Sequence, residues 1–538
     1  MALKRTRATA AEHAARAKEL MAAGRFEEAA QVLAGALARD PGLFEAHLLR
    51  GRALEQATRP KEAIASYRRA LSLKPDSAEA FLQLGTLCAR LGALVEAEFM
   101  LKKALEIQSG MIEAYHALGL VLGRRGKFED AETLLRKALF RAPDRAELHA
   151  ALGSTLAETG RLREALPHFA EAVRLNPDFG EAHAGLGNVL RDLGRPEEAL
   201  AAYDRTLELI PDDARAHVSR AAALLLTGDY AGGWREYEWR LKLPEARDVS
   251  GLPRRWRGET LRNRTILVYT EQGVDDGIMF AALLSDLIGT GARVVLWSTG
   301  RLAALLARSF PDAEVHVAPH VAPEEDGREF SFAGIDYSVA MGSLPLFFRQ
   351  AKTDFTGAPR HARYLVPDAG AVQEWRRRFD GLGEGLKVGI SWRGGASARD
   401  TRLRTTGLDD WSDLFELPDV AWINLQIGEP GQEIAAFEEK SGRKVHDWPD
   451  AAADLDDFAA RIDALDLVIS IDNSTAHLAG ALAKPLWTLV PFVATWRWGR
   501  RGETTPWYPS MRLVRQHEDQ PWRGVLAPLA HDLVAAFA

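Results

Sequence analysis

The N-terminal half of the chain repeats with a period of 34 residues, and this period constrains its fold more than any other feature. Glycines recur at that interval, at Gly51, Gly85, Gly119, Gly153 and Gly187. Alanines keep the same register at Ala63, Ala97, Ala131, Ala165 and Ala199. A large residue follows each alanine by four positions: Tyr67, Leu101, Leu135, Phe169 and Tyr203. Such a period indicates stacked helix-turn-helix units that bury a shared core.

Prolines close most of the units, at Pro41, Pro75, Pro143, Pro177 and Pro211, with Ser109 in the one gap. Proline ends a helix because it lacks an N–H group and clashes with the preceding turn. We expect the small residues to let the two helices of a unit cross closely, and the large residues to fill the space between units. The pattern resembles the tetratricopeptide repeat, and it predicts about seven units in a right-handed solenoid that ends near Pro244.

A solenoid of this kind is a general protein-binding surface, so it specifies the fold more than the function. Two interpretations of the repeats stay open. They are a spacer or oligomerisation arm, or they form a concave groove that captures a partner protein. We predict the groove, with a partner protein as its ligand. Cys88, in the first helix of its unit, is predicted to be a small core residue.

Composition excludes several classes of function. The net charge of −7 at pH 7 leaves no basic surplus to neutralise phosphates, so we expect no nucleic-acid partner. A single cysteine forms no intrachain disulfide, which fits a reducing compartment. No apolar run is long enough to span a bilayer, and the first residues lack the apolar segment of a secretory signal. The sequence therefore predicts a cytoplasmic protein that does not bind membranes.

The second half of the chain alternates short apolar runs with helical stretches. The runs predict strands over residues 265–270, 292–298, 313–319, 386–392, 420–426, 465–471 and 485–491. Strands that alternate with helices form parallel sheets with helices on both faces. Ligands of such folds bind beyond the carboxyl ends of the strands.

These patterns predict five segments. They are a protein-binding solenoid over residues 1–245, a linker over 246–263, an N-terminal α/β lobe over 264–366, an interlobe linker over 367–385, and a C-terminal α/β lobe over 386–538 that binds a ligand. The fold class is an α-solenoid followed by two Rossmann-like lobes.

Three loops that follow predicted strands carry candidate ligand-binding residues. The loop after residues 265–270 contains Gln272, Gly273, Asp275 and Asp276. The loop after residues 386–392 contains Arg393, Arg402 and Arg404. The loop after residues 465–471 contains Asp472, Asn473, Ser474, Thr475 and His477. Gln426, at the end of residues 420–426, is placed to meet a nucleotide.

Each loop also has a plain structural interpretation. Asn473, Ser474 and Thr475 are ordinary helix-capping residues, and Asp276 is an ordinary first-turn acid opposing the helix dipole. Exposed arginines are commonly solvated. The equivalent placement of all three loops nevertheless favours a shared site, where the free N–H groups of a helix N-terminus suit a phosphate or carboxylate.

The third loop resembles GT-B glycosyltransferases related to the bacterial lipopolysaccharide heptosyltransferases. The matching residues are Asp472, His477, Leu478, Ala479, Ala481, Leu482, Lys484 and Pro485. This resemblance implies that the loop holds a nucleotide-sugar donor, with Ser474, Thr475 and His477 near its phosphates. It further implies that Asp276 is the general base, that Arg404 lies near the donor, and that no metal or other cofactor is required.

The whole chain resembles bacterial proteins that fuse such a domain to tetratricopeptide repeats. The segments GDYAGGWREYEWRL, DWSDLFELPDVAWINLQIG and PFVATWRWGRRGETTPWYPSMRLVRQ carry this resemblance. It extends to alphaproteobacterial flagellin glycosyltransferases, whose repeats recruit flagellin and whose catalytic domain attaches a nonulosonic acid to Ser or Thr. The resemblance implies the transfer of a sugar to flagellin, with a nonulosonic acid from a CMP donor as the implied sugar.

The first loop departs from the fused proteins, which usually read Glu-Gln-Gly-Leu-Gly-Asp where this chain reads Glu-Gln-Gly-Val-Asp-Asp. Asp275 therefore adds a side chain and a charge where a glycine is usual, which implies a different sugar or an altered base. Two alternatives stay open: a glycosyltransferase with a UDP-GlcNAc or ADP-heptose donor or another acceptor, and a repeat scaffold with an inactive domain.

The segment WRWGRRGETTPWYP has two interpretations. Trp496, Trp498 and Arg500 form one wall of the sugar pocket, or they belong to a packed aromatic cluster on the crossover back to the first lobe.

Overall fold

The computed structural model describes residues 2–317, 331–355, 362–395, 401, 404–448 and 454–537, with side chains described from residue 11 onward. None of the helices in these ranges has the length and apolar character that a membrane crossing requires. The chain divides into two compact units, Met1–Val189 and Leu190–Ala538.

Paired helices follow one another from the N-terminus. Their bounds are α1 (Ala2–Ala22), α2 (Phe26–Arg39), α3 (Phe44–Gln56), α4 (Pro60–Leu73), α5 (Ala78–Arg90), α6 (Leu94–Ile107), α7 (Ile112–Arg124), α8 (Phe128–Arg141), α9 (Ala146–Glu158), α10 (Leu162–Leu175), α11 (Gly180–Asp192), α12 (Pro196–Leu209), α13 (Ala214–Thr227) and α14 (Tyr230–Tyr237). The starts of α3, α5, α7, α9 and α11 are 34 residues apart, as the glycine period predicts. The predicted prolines follow the ends of α2, α4, α8, α10 and α12.

Four periodic glycines, Gly51, Gly85, Gly119 and Gly153, each face a large side chain. A Cβ added to Gly119 would lie 2.7 Å from Leu135, and one added to Gly153 would lie 2.9 Å from Phe169. The large residues were predicted to fill the space between units. Leu135 and Phe169 contact the glycine of their own repeat, and Phe169 also contacts Gly185 of the next repeat. Cys88 is buried, as predicted.

Two parallel sheets form most of the second unit. The strands are β1 (Thr265–Tyr269), β2 (Arg293–Ser298), β3 (Ala313–Val317), β4 (Tyr337–Ala340), β5 (Leu386–Ser391), β6 (Val420–Asn424), β7 (Val445–His446), β8 (Leu467–Ile471), β9 (Leu486–Val490) and β10 (Met511–Arg515). The first sheet has the order β3-β2-β1-β4 and the second has the order β10-β9-β8-β5-β6-β7. Each predicted strand is present, whereas β4, β7 and β10 were not predicted.

Helices alternate with these strands. They are α15 (Val274–Ala281), α16 (Leu284–Gly289), α17 (Gly300–Ser309), α18 (Pro345–Phe348), α19 (Ala369–Asp380), α20 (Ser412–Phe415), α21 (Gly431–Ser441), α22 (Leu455–Asp463), α23 (Ser474–Ala481) and α24 (Trp522–Phe537). Every strand pair is parallel, for example β1 with β2 and β5 with β8. The loops that follow β1, β2, β5, β6 and β8 therefore leave their sheets at the carboxyl ends.

The last helices of the repeat region belong to the same compact unit as the sheets. Trp234 of α14 is buried, and its indole Nε1 donates to the carbonyl of Arg349 at 2.7 Å. Its ring meets Trp496 edge-on at 5.3 Å between ring centroids, with Phe280 and Trp507 beside it. This aromatic cluster joins α14 to the sheet region across the segment predicted as a linker.

Candidate functional site

A cleft of about 380 Å³ lies at the carboxyl ends of the strands, between the two sheets. The predicted residues that line it are Asp275, Arg393, Arg404, Gln426, Asp472, Asn473, Ser474 and Thr475. Arg402 lies outside the described residues. The three loops singled out in the sequence thus contribute to one cavity. Val274 and Arg301 border it from the first sheet, and Gly394, Gly395, Ile427 and Leu455 border it from the second.

Asn473 organises the start of α23. Its side-chain oxygen accepts hydrogen bonds from the backbone N–H groups of Thr475 at 3.0 Å and Ala476 at 3.4 Å. Its amide nitrogen donates to Ser391 Oγ at 2.8 Å and to the carbonyl of Arg393 at 3.0 Å. The capping interpretation of Asn473 is therefore correct, and the same side chain also fixes the loop that follows β5.

A glycine lets that loop approach α23 closely. A Cβ at Gly394 would lie 2.9 Å from the carbonyl oxygen of Asp472. Gly395 adopts a φ of +102°, which is a conformation that glycine accepts and other residues rarely do. The paired glycines therefore let backbone rather than side chains form this wall of the cleft.

Gln426 also supports the loop after β5. Its side-chain oxygen accepts hydrogen bonds from the backbone N–H groups of Trp392 at 3.0 Å and Arg393 at 2.7 Å. It accepts a third from Ser391 Oγ at 3.2 Å. Gln426 borders the cleft as predicted, and its oxygen is already engaged in holding the arginine-bearing loop.

Three arginines give the cleft a positive character. Arg301 comes from the first turn of α17, while Arg393 and Arg404 come from the loop after β5. Arg404 Nη1 lies 3.6 Å from Asp472 Oδ2, and Arg393 Nε lies 3.3 Å from Glu433 Oε2.

Asp472 is 3% exposed, and no described residue makes a hydrogen bond to its Oδ2 atom. A buried polar atom in that state is suited to receive a ligand donor. Ser474 follows at the start of α23 and is only partly buried, so its hydroxyl and the helix N-terminus face the same cavity.

The two acids of the first loop have different surroundings. Asp275 lines the cleft, whereas Asp276 is ion-paired with Arg497 and borders a separate small cavity beside Gln272 and Phe280. Burial alone would lower the pKa of Arg497, but the Asp276 carboxylate and the nearby Tyr237 raise it above its usual value. Arg497 therefore stays charged, and Asp276 is its counterion.

Gln272 connects this ion pair to the last repeat. Its amide exchanges hydrogen bonds with the Tyr237 hydroxyl at 2.8–3.0 Å. Burial and the nearby Asp276 raise the pKa of Tyr237 to about 12, so its hydroxyl stays protonated near neutral pH. Gln272 thus contacts α14, while Gly273, the residue before α15, carries no side chain. Neither residue lines the cleft in the described part of the chain.

His477 lies behind the cleft wall. It is 2% exposed, and its Nδ1 is 2.8 Å from the Tyr508 hydroxyl. Burial lowers the pKa of the imidazole, while the Asp275 charge acts in the opposite direction. The environment therefore favours a neutral ring that packs against Tyr508 and Trp498.

The aromatic segment agrees with the second of its two interpretations. Trp496 belongs to the cluster around Trp234, and Trp498 is buried beside His477. Arg500 is ion-paired with Glu197 of α12, away from the cleft lining. These three side chains therefore hold structural elements together in the second unit.

The arrangement suits an anionic ligand. Guanidinium groups are the usual partners of phosphates and carboxylates, and the Ser474 hydroxyl adds a neutral donor to the same lining. Among the described residues, no group of three or more His, Cys, Asp or Glu side chains is placed to hold a metal ion. The expectation that the reaction needs no metal stays a prediction.

Two residues of the site were missed in the sequence. Arg301 follows β2 just as Arg393 follows β5, so the rule that selected the other loops would have found it. Arg497 carries no local signal, because its partner Asp276 is 221 positions earlier in the chain.

The repeat region matches a known family. Residues 14–78, 116–179, 151–214 and 184–233 match one tetratricopeptide repeat family, and residues 54–121 match another. The N-terminal part of the chain is therefore a tetratricopeptide repeat region.

Comparison with characterised proteins finds a relative in Caulobacter vibrioides. The chain is 33% identical to Protein FlbA of that organism over 333 residues, which is 58% of this chain and 54% of the relative. The chain thus spans about half the length of the curated relative that it matches.

Solved structures resemble the repeat region. TTC0263, a tetratricopeptide repeat protein of Thermus thermophilus, is 28% identical, covers 34% of this chain and 99% of its own, and has a TM-score of 0.31. PilW, a type IV pilus biogenesis factor, is 25% identical, covers 38% of this chain and 94% of its own, and has a TM-score of 0.35.

Proposed function

We propose that the protein is a GT-B glycosyltransferase that moves a sugar from a nucleotide donor to Ser or Thr hydroxyls of flagellin held by the repeats. The donor we propose is a CMP-linked nonulosonic acid. The observation that carries the proposal is the cleft between two parallel sheets, where Arg301, Arg393 and Arg404 face the N-terminus of α23.

The charges of the cleft support a nucleotide-sugar donor. Such a donor carries phosphate groups, and a nonulosonic acid adds a carboxylate. Three guanidinium groups can neutralise these anions, and the Ser474 hydroxyl at the start of α23 lies in the same cavity lining and can donate to a phosphate oxygen. The same groups would stabilise the negative charge that develops on the departing phosphate during transfer.

The repeats support a protein acceptor. Tetratricopeptide repeats are protein-interaction modules, and the similarity to FlbA supports a flagellum-related role. Flagellin is a protein acceptor that is consistent with both observations and with the proposed transfer of a sugar at the cleft. In the reaction, a carboxylate of the first loop would accept the hydroxyl proton while the hydroxyl oxygen attacks the anomeric carbon.

Intact-mass spectrometry tests the proposal. Flagellin from a strain lacking this protein is incubated with the purified protein and with CMP-, UDP- or ADP-linked sugars in separate reactions. We expect a mass increase of one sugar residue, or multiples of it, with the CMP-linked nonulosonic acid. An increase only with a UDP- or ADP-linked sugar would overturn the proposed donor and keep the reaction class.

Two results would overturn the proposal that the protein is an enzyme. One is unchanged flagellin with every donor together with no affinity for CMP, UDP or ADP in calorimetry. The other is flagellin binding to the repeats without any donor affinity, which would identify the chain as a scaffold. Arg404→Ala serves as a site control, and Arg293→Ala, an exposed arginine on β2, serves as its matched surface control.

A further inference from the structure

We infer that Asp275, and not Asp276, accepts the proton of the acceptor hydroxyl; this inference rests on the proposed function. The two acids are adjacent in the first turn of α15, so their side chains point in different directions. Only Asp275 lines the cleft with the arginines and the start of α23.

Asp276 is already the counterion of Arg497. The two side chains form an ion pair in which the carboxylate is 17% exposed and the guanidinium 18%. In the amide orientation that places the Gln272 nitrogen toward it, Asp276 Oδ2 also lies 3.2 Å from that nitrogen. To take up a proton, Asp276 would have to leave a buried arginine without its counterion, which is unfavourable.

Asp275 is not engaged in this way. No described residue makes a hydrogen bond or ion pair with its carboxylate, and the side chain is only partly buried. An acid that faces the ligand cavity without a fixed partner is available to a substrate hydroxyl. Asp276 lies outside the cleft lining and lacks this access.

Asp275 shares its cavity with three cationic side chains, Arg301, Arg393 and Arg404. Asp472, which also lines the cavity, is offset by Arg404. His477 is neutral in its buried site and adds no charge.

In the transfer step, the oxygen of the acceptor Ser or Thr forms a bond to the anomeric carbon of the donor sugar. The bond between that carbon and the phosphate oxygen breaks, and its electron pair leaves with the nucleotide phosphate. The hydroxyl proton passes to Asp275, and the arginines stabilise the phosphate that departs.

Paired variants test the assignment in the full-length protein. Asp275→Asn is expected to lower the rate of sugar transfer to flagellin by about 100-fold or more, the usual effect of losing a general base. Its affinity for CMP in calorimetry is expected to change by less than about threefold, because the amide keeps the size of the side chain. Asp276→Asn is expected to lower the melting temperature, because it leaves Arg497 without its counterion, and to keep transfer within about tenfold of wild type.

The outcomes separate the inference from the proposed function. If the wild-type protein transfers no sugar from any donor, the proposed function and this inference fail together. If the wild-type protein is active and Asp275→Asn transfers at the same rate, only the inference is wrong. The opposite result is a folded Asp276→Asn variant that binds CMP but transfers no sugar, together with an active Asp275→Asn variant. It would identify Asp276 as the proton acceptor. Asp275→Ala provides a second variant if the asparagine variant is unstable.

Discussion

Arg404 Nη1 lies 3.6 Å from Asp472 Oδ2, so the loop after β5 and the loop after β8 meet at one point of the cleft. Asp472 is buried and no described residue makes a hydrogen bond to its Oδ2 atom. The pair therefore joins the loop after β5 to the loop after β8 at the start of α23.

Removal of this arginine should weaken nucleotide binding. Arg404→Ala deletes a charge-assisted contact worth about 1.5–3 kcal/mol, so we expect CMP affinity to fall by about 10- to 100-fold in calorimetry. Arg293→Ala removes an exposed arginine from β2, and its affinity should match wild type. An equal loss of CMP affinity in the two variants would mean that the overall charge of the protein, and not the cleft, attracts the nucleotide.

The glycine beside α23 should be intolerant of a methyl group. Gly394→Ala places a Cβ 2.9 Å from the Asp472 carbonyl oxygen, so the loop after β5 has to move. We expect a loss of about 1–3 kcal/mol in the free energy of unfolding and weaker CMP binding. Gly431→Ala is the control, because a Cβ there meets nothing within 4 Å. An unchanged melting temperature and CMP affinity for Gly394→Ala would show that the loop adapts freely.

Two glycines of α7 offer a matched comparison within the repeats. A Cβ at Gly119 would lie 2.7 Å from Leu135, whereas a Cβ at Gly123 meets nothing within 4 Å. Gly119→Ala should destabilise the protein by about 1–3 kcal/mol, because the core there is already filled. Gly123→Ala should be neutral or stabilise it by up to about 1 kcal/mol, because alanine is the better helix former. Urea unfolding of both variants measures the difference, and similar free energies would contradict the packing argument.

A buried carboxylate in α6 should make the first unit sensitive to acid. Burial alone would raise the pKa of Glu98, but hydrogen bonds from Lys102 and Lys127, at 2.7 and 3.0 Å, lower it to about 2. A lowered pKa stabilises the folded state fully above the unfolded value of about 4.3, and this contribution is lost as the pH falls toward the folded value.

Glu98→Gln is therefore expected to cost about 2 kcal/mol at neutral pH, because three basic side chains then lose their shared charge partner. The gap between wild type and variant should shrink as the pH falls through this window. Urea unfolding of both proteins between neutral pH and about pH 3 checks the trend. A gap that stays constant with pH would show that the Glu98 charge does not contribute.

The sequence predicted the repeats and most strands because both depend on local patterns. The residues equivalent to Gly119 and Leu135 recur every 34 residues. The run Leu467–Ile471 is buried at every position. Strand β7 has only two residues, and two arginines interrupt the apolar residues of β10 at a sheet edge, so neither produced a clear apolar run.

The site was predictable only in part, for a related reason. The loops after strands could be found from local sequence, and they do share one cleft. Which acid faces that cleft depends on Arg497, which approaches Asp276 through the tertiary fold. The resemblance placed the base at Asp276, whereas the packing around Arg497 leaves Asp275 as the acid that faces the cavity.

The aromatic cluster around Trp234 determines where the chain can be divided into fragments that keep their packing. A fragment that starts at residue 264, where the sequence changes character, would leave Trp496, Trp507 and Phe280 without the indole that covers them. Exposed rings of this size promote aggregation. A fragment that begins at Leu190 retains Trp234 and starts where the second compact unit starts. The repeats nearest the sheets thus cover the aromatic cluster of the second unit, and recombinant fragments of the protein should be cut upstream of these repeats.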